Sequence, residues 1–167
     1  MAVTVETIRH LRELTGAGIM DCKQALEENG GDLVKAAETL RRKGFAQAAK
    51  RSANATSQGL VEAYIHTGGR VGALVELGCE TDFVARTPEF RELAHNLAMQ
   101  VAAMAPQYVD QSQVEEGDPR LAAQTVLLHQ PFIKDHSRTV AEMVQELAAK
   151  VGENVKVLRF TRLALGE

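Results

Sequence analysis

The spacing of the apolar residues changes once along the chain, and that change limits the possible folds more than any other feature. Up to about residue 45 they recur at three- and four-residue intervals; from Leu60 onward, runs of strand-forming residues appear. Between the two lies Ala46–Gln58 (AQAAKRSANATSQ), small, polar and without apolar period, which reads as a linker. Charge divides at the same place. Residues 1–55 carry 9 basic and 7 acidic side chains, and residues 56–167 carry 10 and 15. The expectation is a small helical domain over residues 1–45, a linker over 46–58 and a larger domain over 59–167.

Local signals fill in both parts. Thr4 can cap a first helix with Val5, Ile8 and Leu11 on one face, stopped at Gly16. Ile19, Cys22 and Leu26 mark a second, ended by Asn29-Gly30-Gly31. Asp32 caps a third with Leu33, Ala36, Ala37 and Leu40 inward, closed by Gly44. In the second part, strands are expected near 60–66 and 71–77, joined by a two-residue hairpin turn centred on Gly68-Gly69. Thr87-Pro88 opens a helix carrying Phe90, Leu93, Ala94, Leu97, Ala98 and Val101 on one face. Thr139 and Glu142 form a capping box for another, with Val140, Met143, Val144, Leu147, Ala148 and Val151 inside. A last strand is expected over 154–163. Residues 107–137 are poorly patterned, with a helix around 120–128. The fold class is α+β: a three-helix bundle, then a three-stranded antiparallel sheet packed with helices.

Composition narrows the function. With 45% hydrophobic and 25% charged residues the chain is ordinary globular material. Its net charge of −3 argues against a dominant phosphate-backbone binder, and five Phe, two Tyr and no Trp are too few for base-stacking platforms. Two cysteines, Cys22 and Cys79, cannot build a disulfide framework or a four-cysteine zinc site. No leader-like apolar segment stands at the N-terminus, and the reading is a reduced, cytoplasmic protein. The five histidines lack metal-ligand spacing, and no nucleophile elbow, Walker loop or dinucleotide fingerprint is present. The expectation is a non-enzyme without a cofactor. Arg41-Arg42-Lys43 with Lys50-Arg51 reads either as a solvated helix end or as phosphate-contacting groups, and the latter keeps a nucleic-acid-binding adaptor as the alternative function. A hydrolase built on Cys22 or Cys79 is a more remote third class.

Two stretches carry more information. In Leu11–Leu26 (LRELTGAGIMDCKQAL), Gly16 and Gly18 bracket a tight turn, while Ile19, Met20 and Lys23 open the next helix. Apolar residues beside a cation either pack internally or dock on a partner, and pattern alone favours packing. In Glu76–Arg86 (ELGCETDFVAR), strand alternation fails at Gly78. Phe83 then either plugs the sheet–helix junction, with Asp82 capping a turn, or projects as an aromatic anchor beside a carboxylate. Spacing leans toward the plug.

Together these segments resemble the two signature stretches of the elongation factor Ts family. Leu11-Arg12-x-x-Thr15-Gly16-Ala17-Gly18 with Asp21-Cys22-Lys23 is similar to the first, and Cys79-x-Thr81-Asp82-Phe83-Val84-Ala85 to the second. Further similarity runs through His66–Leu77, Gln130-Pro131-Phe132 and Arg159-Phe160. The resemblance implies a guanine-nucleotide exchange factor for the translation GTPase elongation factor Tu. It implies a ubiquitin-associated-type (UBA-like) N-terminal bundle touching the GTPase through Ile19, Met20 and Lys23. It also implies GTPase contacts by Thr81, Asp82, Phe83 and Val84, with Asp82 and Phe83 entering as a wedge between its helices near the magnesium and phosphate site. Long family members carry two copies of the core; this chain has room for one, which implies a homodimer whose second subunit applies the hairpin tip, His66, Gly68, Gly69 and Arg70, to the same GTPase. One departure is Gly78, where the family usually has Asn; a glycine there loosens the entry to the wedge.

Overall fold

The computed structural model describes residues 3–114 and 122–167. Three helices come first: α1 (Val5–Thr15), α2 (Ile19–Glu28) and α3 (Leu33–Arg51). Thr4 and Thr7 form a reciprocal cap on α1, Gly16 ends it in the left-handed conformation, and Asp32 accepts from Val34 and Lys35 at the start of α3. Leu11, Cys22, Ala25, Leu26, Ala36 and Leu40 make a small buried cluster.

The expected close of α3 at Gly44 is corrected. The helix runs on to Arg51, so the first six residues of the expected linker are helical, and Ala48 packs against the larger core. Gly44 is there for proximity. A Cβ at this position would stand 2.9 Å from the Ala149 Cβ, so the missing side chain lets α3 lie directly on helix α7 (Val140–Val151). A mid-helix glycine costs about 1 kcal/mol of propensity, and here close helix packing offsets it.

The sheet is antiparallel, in the order β1 (Gln58–Ile65), β2 (Val71–Cys79), β5 (Val155–Ala164). Alternation does fail at Gly78, since Leu77, Gly78 and Cys79 are buried in a row, but β2 runs two residues past its expected end, to Cys79. The irregularity is a bulge on β5, where Leu158 has no partner between the pairs Glu76–Arg159 and Leu77–Val157. The expected two-residue hairpin turn is also corrected. Four residues, 67–70, form the loop: the Gly69 amide donates to the His66 carbonyl at 2.9 Å and the His66 amide to the Val71 carbonyl at 2.8 Å. The Arg70 carbonyl accepts the Leu165 amide at 2.9 Å, beyond the end of β5.

One face of the sheet is covered by α5 (Pro88–Met104) and α7, whose expected inward residues are buried or half-buried. The sequence left 107–137 nearly featureless. Its described part holds a one-turn helix α6 (Ala122–Thr125), a 3₁₀ turn at Leu127–His129 and a small hairpin of β3 (Pro131–Phe132) with β4 (Asp135–Thr139). The helix expected over 120–128 is thus broken in two, and its residues 120 and 121 lie outside the described residues. The segment is fastened by buried polar pairing. Gln100 Nε2 donates to Gln130 Oε1 at 3.1 Å, and the Gln100 oxygen accepts the Ile133 amide at 2.9 Å. This bonding carries no hydrophobic period, which is why pattern missed it.

Several carboxyls lie below their ordinary range. The Asn154 amide holds Glu80 low, the Thr139 amide holds Glu142 low, and the Lys35 amide holds Asp32 low. Native values below the unfolded ones add stability that is complete above the unfolded carboxylate range and is lost as pH falls through the native values. Melts taken from pH 7 to pH 3 are therefore expected to hold a constant Tm down to about pH 5 and to decline below about pH 4.

Candidate protein-binding surface

Between β2 and α5 the chain makes one helical turn, α4 (Asp82–Ala85), with Thr81 as its N-cap accepting from the Val84 amide. Four residues have no amphipathic period, so the surroundings decide which side faces in. Val84 and Ala85 are buried in the main core. Phe83 points out and is 79% exposed, and Asp82 beside it pairs with Arg86 at 2.8 Å. The plug reading is corrected: Val84 fills the sheet–helix junction and Phe83 projects from it. Val84, expected among the contact residues, is an anchor beneath the surface, and Thr81 is a cap.

The turn rests on a polar clasp that sequence reading did not find. Glu153, just past the left-handed Gly152 that ends α7, accepts the Glu80 amide at 3.2 Å, the Thr81 amide at 3.0 Å and the Thr81 hydroxyl at 2.6 Å. In return, Glu80 accepts the Asn154 amide at 2.6 Å and also bonds Asn54 and Arg51. Asn154 donates to the carbonyls of Ser52 and Asn54. The end of α3, the entry to α4 and the exit of α7 are thereby tied together. Each carboxylate is more than 70 residues from the amides it accepts, so no local signal could have revealed the pairing.

The second surface lies at the α1–α2 corner. Ile19 is 57% and Met20 72% exposed, which corrects the packing favoured by pattern: Cys22, Ala25 and Leu26 take the inward face of α2. Lys23 reaches Glu27 at 3.8 Å and stays half exposed. Leu14, which the sequence reading did not single out, is exposed beside them in the chain. Gly16 sits against Lys150, since a Cβ there would stand 3.1 Å from the Lys150 Cγ, and Lys150 Nζ reaches Glu89 at 3.1 Å. Glu89 follows Pro88 at the start of α5, directly after α4. The α1–α2 corner and the Asp82–Phe83 turn therefore lie on the same end of the molecule.

The hairpin tip does not join them. His66, Gly68, Gly69 and Arg70 are exposed at the opposite end of β2 from α4, and nine strand residues at about 3.3 Å each separate the two ends. The base of the hairpin is firm: the Tyr64 hydroxyl and His66 Nδ1 are 3.1 Å apart, and the Tyr64 ring meets His95 edge-on at 5.7 Å. Of the basic run, Arg41 pairs with Glu146, Lys43 with Glu28 and Arg51 with Glu80, so three of its five cations face carboxylates of this chain. Burial, with the Glu153 charge adding, pushes the Cys79 thiol up; the thiol donates to the Thr81 carbonyl at 3.1 Å, the opposite of an activated thiolate.

An exposed aromatic on a braced turn, with exposed apolar residues at the same end of the molecule, is the kind of surface on which a protein docks. Over residues 11–118, which span both surfaces, the chain matches the family model for elongation factor Ts. The chain belongs to the elongation factor Ts family. It is 47% identical to elongation factor Ts of Moorella thermoacetica, across 99% of this chain and 96% of that one, and 46% identical to that of Thermotoga neapolitana, across 100% and 99%. The Gloeothece citriformis elongation factor Ts is 45% identical, but the matched part covers 68% of it. Family members thus differ in length around a shared core. The first two alignments run over 195 positions, 28 more than this chain has residues. Membership makes this protein a translation elongation factor.

Gly78, the departure from the family motif, is not a loose entry to the turn. It pairs with Gly59 and Lys156 on its two sides, and a Cβ there would meet the Leu158 Cδ1 at 3.0 Å and Thr56 at 3.1 Å. Among the described residues no helix is long and apolar enough to cross a membrane.

Proposed function

We propose that this protein is a cytoplasmic guanine-nucleotide exchange factor that binds elongation factor Tu in its GDP form and accelerates GDP release. It acts by binding a protein and not as a catalyst of bond chemistry, and it uses no cofactor. The observation that carries this reading is Phe83, exposed beside Asp82 on a turn whose base is clasped from two sides. Bound GDP is held by backbone amides of a phosphate loop and by Mg²⁺, which tolerates little departure from octahedral geometry. An aromatic pressed between helices there displaces groups by about an ångström and forfeits those contacts. A thousandfold faster release corresponds to about 4 kcal/mol, within reach of one desolvated aromatic anchor and its neighbours. The coupling is reciprocal, so incoming nucleotide weakens the factor's hold by the same ratio and expels it. Ile19, Met20 and Lys23 supply a second contact, which orients the turn without touching the nucleotide. Residues 1–45 form the domain that supplies this second contact, and residues 59–167 form the core domain that carries the Asp82–Phe83 turn. Release of fluorescent GDP from purified elongation factor Tu tests this reading. Steeply salt-dependent retention on RNA with no effect on GDP release would instead support the nucleic-acid adaptor.

The functional unit is a homodimer joined through the uncovered face of the sheet. Strand register aligns Ile65, Gly72 and Leu163 in one row on that face, Ala63, Leu74 and Thr161 in the next, and Val61, Glu76 and Arg159 in a third. Ile65, Leu163 and Leu74 are exposed, and Leu163 is 74% so. A second copy supplies the same apolar rows across a two-fold axis, as aligned sheet packing requires. It also brings a second hairpin to the GTPase, which one chain cannot apply from the far end of β2. Leu74→Glu is expected to halve the sedimenting mass while leaving the Phe83 turn intact. A mass of one chain in the parent protein, independent of concentration, would refute the dimer.

A further inference from the structure

We infer that Glu153 is a positioning residue for nucleotide exchange, acting through Thr81 to hold the Asp82–Phe83 turn in its projecting orientation; the exchange part of this inference rests on the proposed function. A single helical turn does not hold itself together, because nucleation fixes several residues for one hydrogen bond. In addition, α4 carries an exposed phenyl ring that gains by folding back onto apolar surface. Something outside the turn must fix it. Val84 and Ala85 anchor one side. At the entry, the amides of Glu80 and Thr81 both donate to Glu153 Oε2.

The hydroxyl of Thr81 is the critical link. It donates to Glu153 Oε1 at 2.6 Å, and this turns its lone pairs toward the Val84 amide that it caps. Removing the carboxylate frees two amides and unlocks the hydroxyl in one step. Charge-assisted bonds of this kind are the stronger class, and all three converge on one side chain. Glutamine preserves the shape but presents an N–H to the Thr81 hydroxyl, so only one oxygen remains to accept. Among the described residues Glu153 bonds Glu80 and Thr81 and makes no hydrogen bond to Asp82 or Phe83, so its effect on them is through orientation.

The test compares Glu153→Ala, Glu153→Gln and a remote core variant, Val144→Ala, in the full chain. Hydrogen exchange at the Glu80 and Thr81 amides is expected to quicken at least about tenfold in Glu153→Ala, with β2 amides still protected. Maximal GDP release from elongation factor Tu is expected to fall about tenfold or more, and half-saturation by less. Glu153→Gln falls between, and Val144→Ala lowers Tm with maximal release unchanged. Unaltered protection at residues 80 and 81, or an equal loss of release in Val144→Ala, would overturn the inference. Parent protein that fails to release GDP would count against the proposed function alone, and the amide measurement would still decide the role of Glu153.

Discussion

Replacing Asp82 and Phe83 together by alanine is expected to lower accelerated GDP release by about a thousandfold, the full effect assigned to the wedge. The same change is expected to leave Tm within about 2 °C of the parent. The separation follows from exposure. Phe83 is 79% exposed in the free protein, so it contributes little to folding, and Asp82 is held only by a surface pair with Arg86. All the binding energy of the ring is therefore available to the complex. Val84→Ala gives the opposite signature. Its side chain is in the core, so truncation costs about 1–2 kcal/mol of stability before any effect on exchange. Parallel melts and release assays on the two variants check both halves of this contrast.

The largest structural effect is expected at Gly59. Its φ of +148° lies outside the conformations that side chains readily adopt, and a Cβ there would stand 2.1 Å from the Leu77 carbonyl oxygen and 2.9 Å from the Gly78 Cα. Backbone, unlike a flexible side chain, cannot step aside. Gly59→Ala must shift β1 away from β2 at the Leu77–Gly78 step, at a cost of about 3 kcal/mol or more from clash and strain together. For a chain of this size that lowers Tm by about 6–12 °C. Because Gly78 stands two residues before Glu80, the displacement reaches the clasp, and exchange falls with stability. Thermal melts check the first consequence and GDP release the second.

The starts of α1, α3, α5 and α7 were legible because each is written in neighbouring residues. Thr4, Asp32, Thr87 with Pro88 and the Thr139–Glu142 box all cap where the sequence puts them. The inward faces of α5 and α7 followed from periodicity alone. Errors arose where a distant partner decides. Gly44 reads as a stop, yet the approach of Ala149 makes it a contact point inside a longer helix. Phe83 and Val84 are adjacent apolar residues in a stretch too short for a period, and only the core below shows which one turns in. Ile19 lies in register with Cys22 and Leu26, yet it stands at the first turn of α2, beyond the reach of the small bundle core. The family motifs pointed to the segments proposed as contacts, but Glu153 and Glu80 needed the folded chain, since each works on backbone far away in sequence.

As proposed, this protein speeds nucleotide release from elongation factor Tu by means of the Asp82–Phe83 turn. The most direct measurement loads purified elongation factor Tu with fluorescent GDP, adds excess unlabelled GDP and follows release with and without the protein. Acceleration by about a thousandfold is expected at saturating protein, lost in the Asp82→Ala/Phe83→Ala variant. Release at the spontaneous rate in the presence of the parent protein, or full acceleration by the variant, would contradict it.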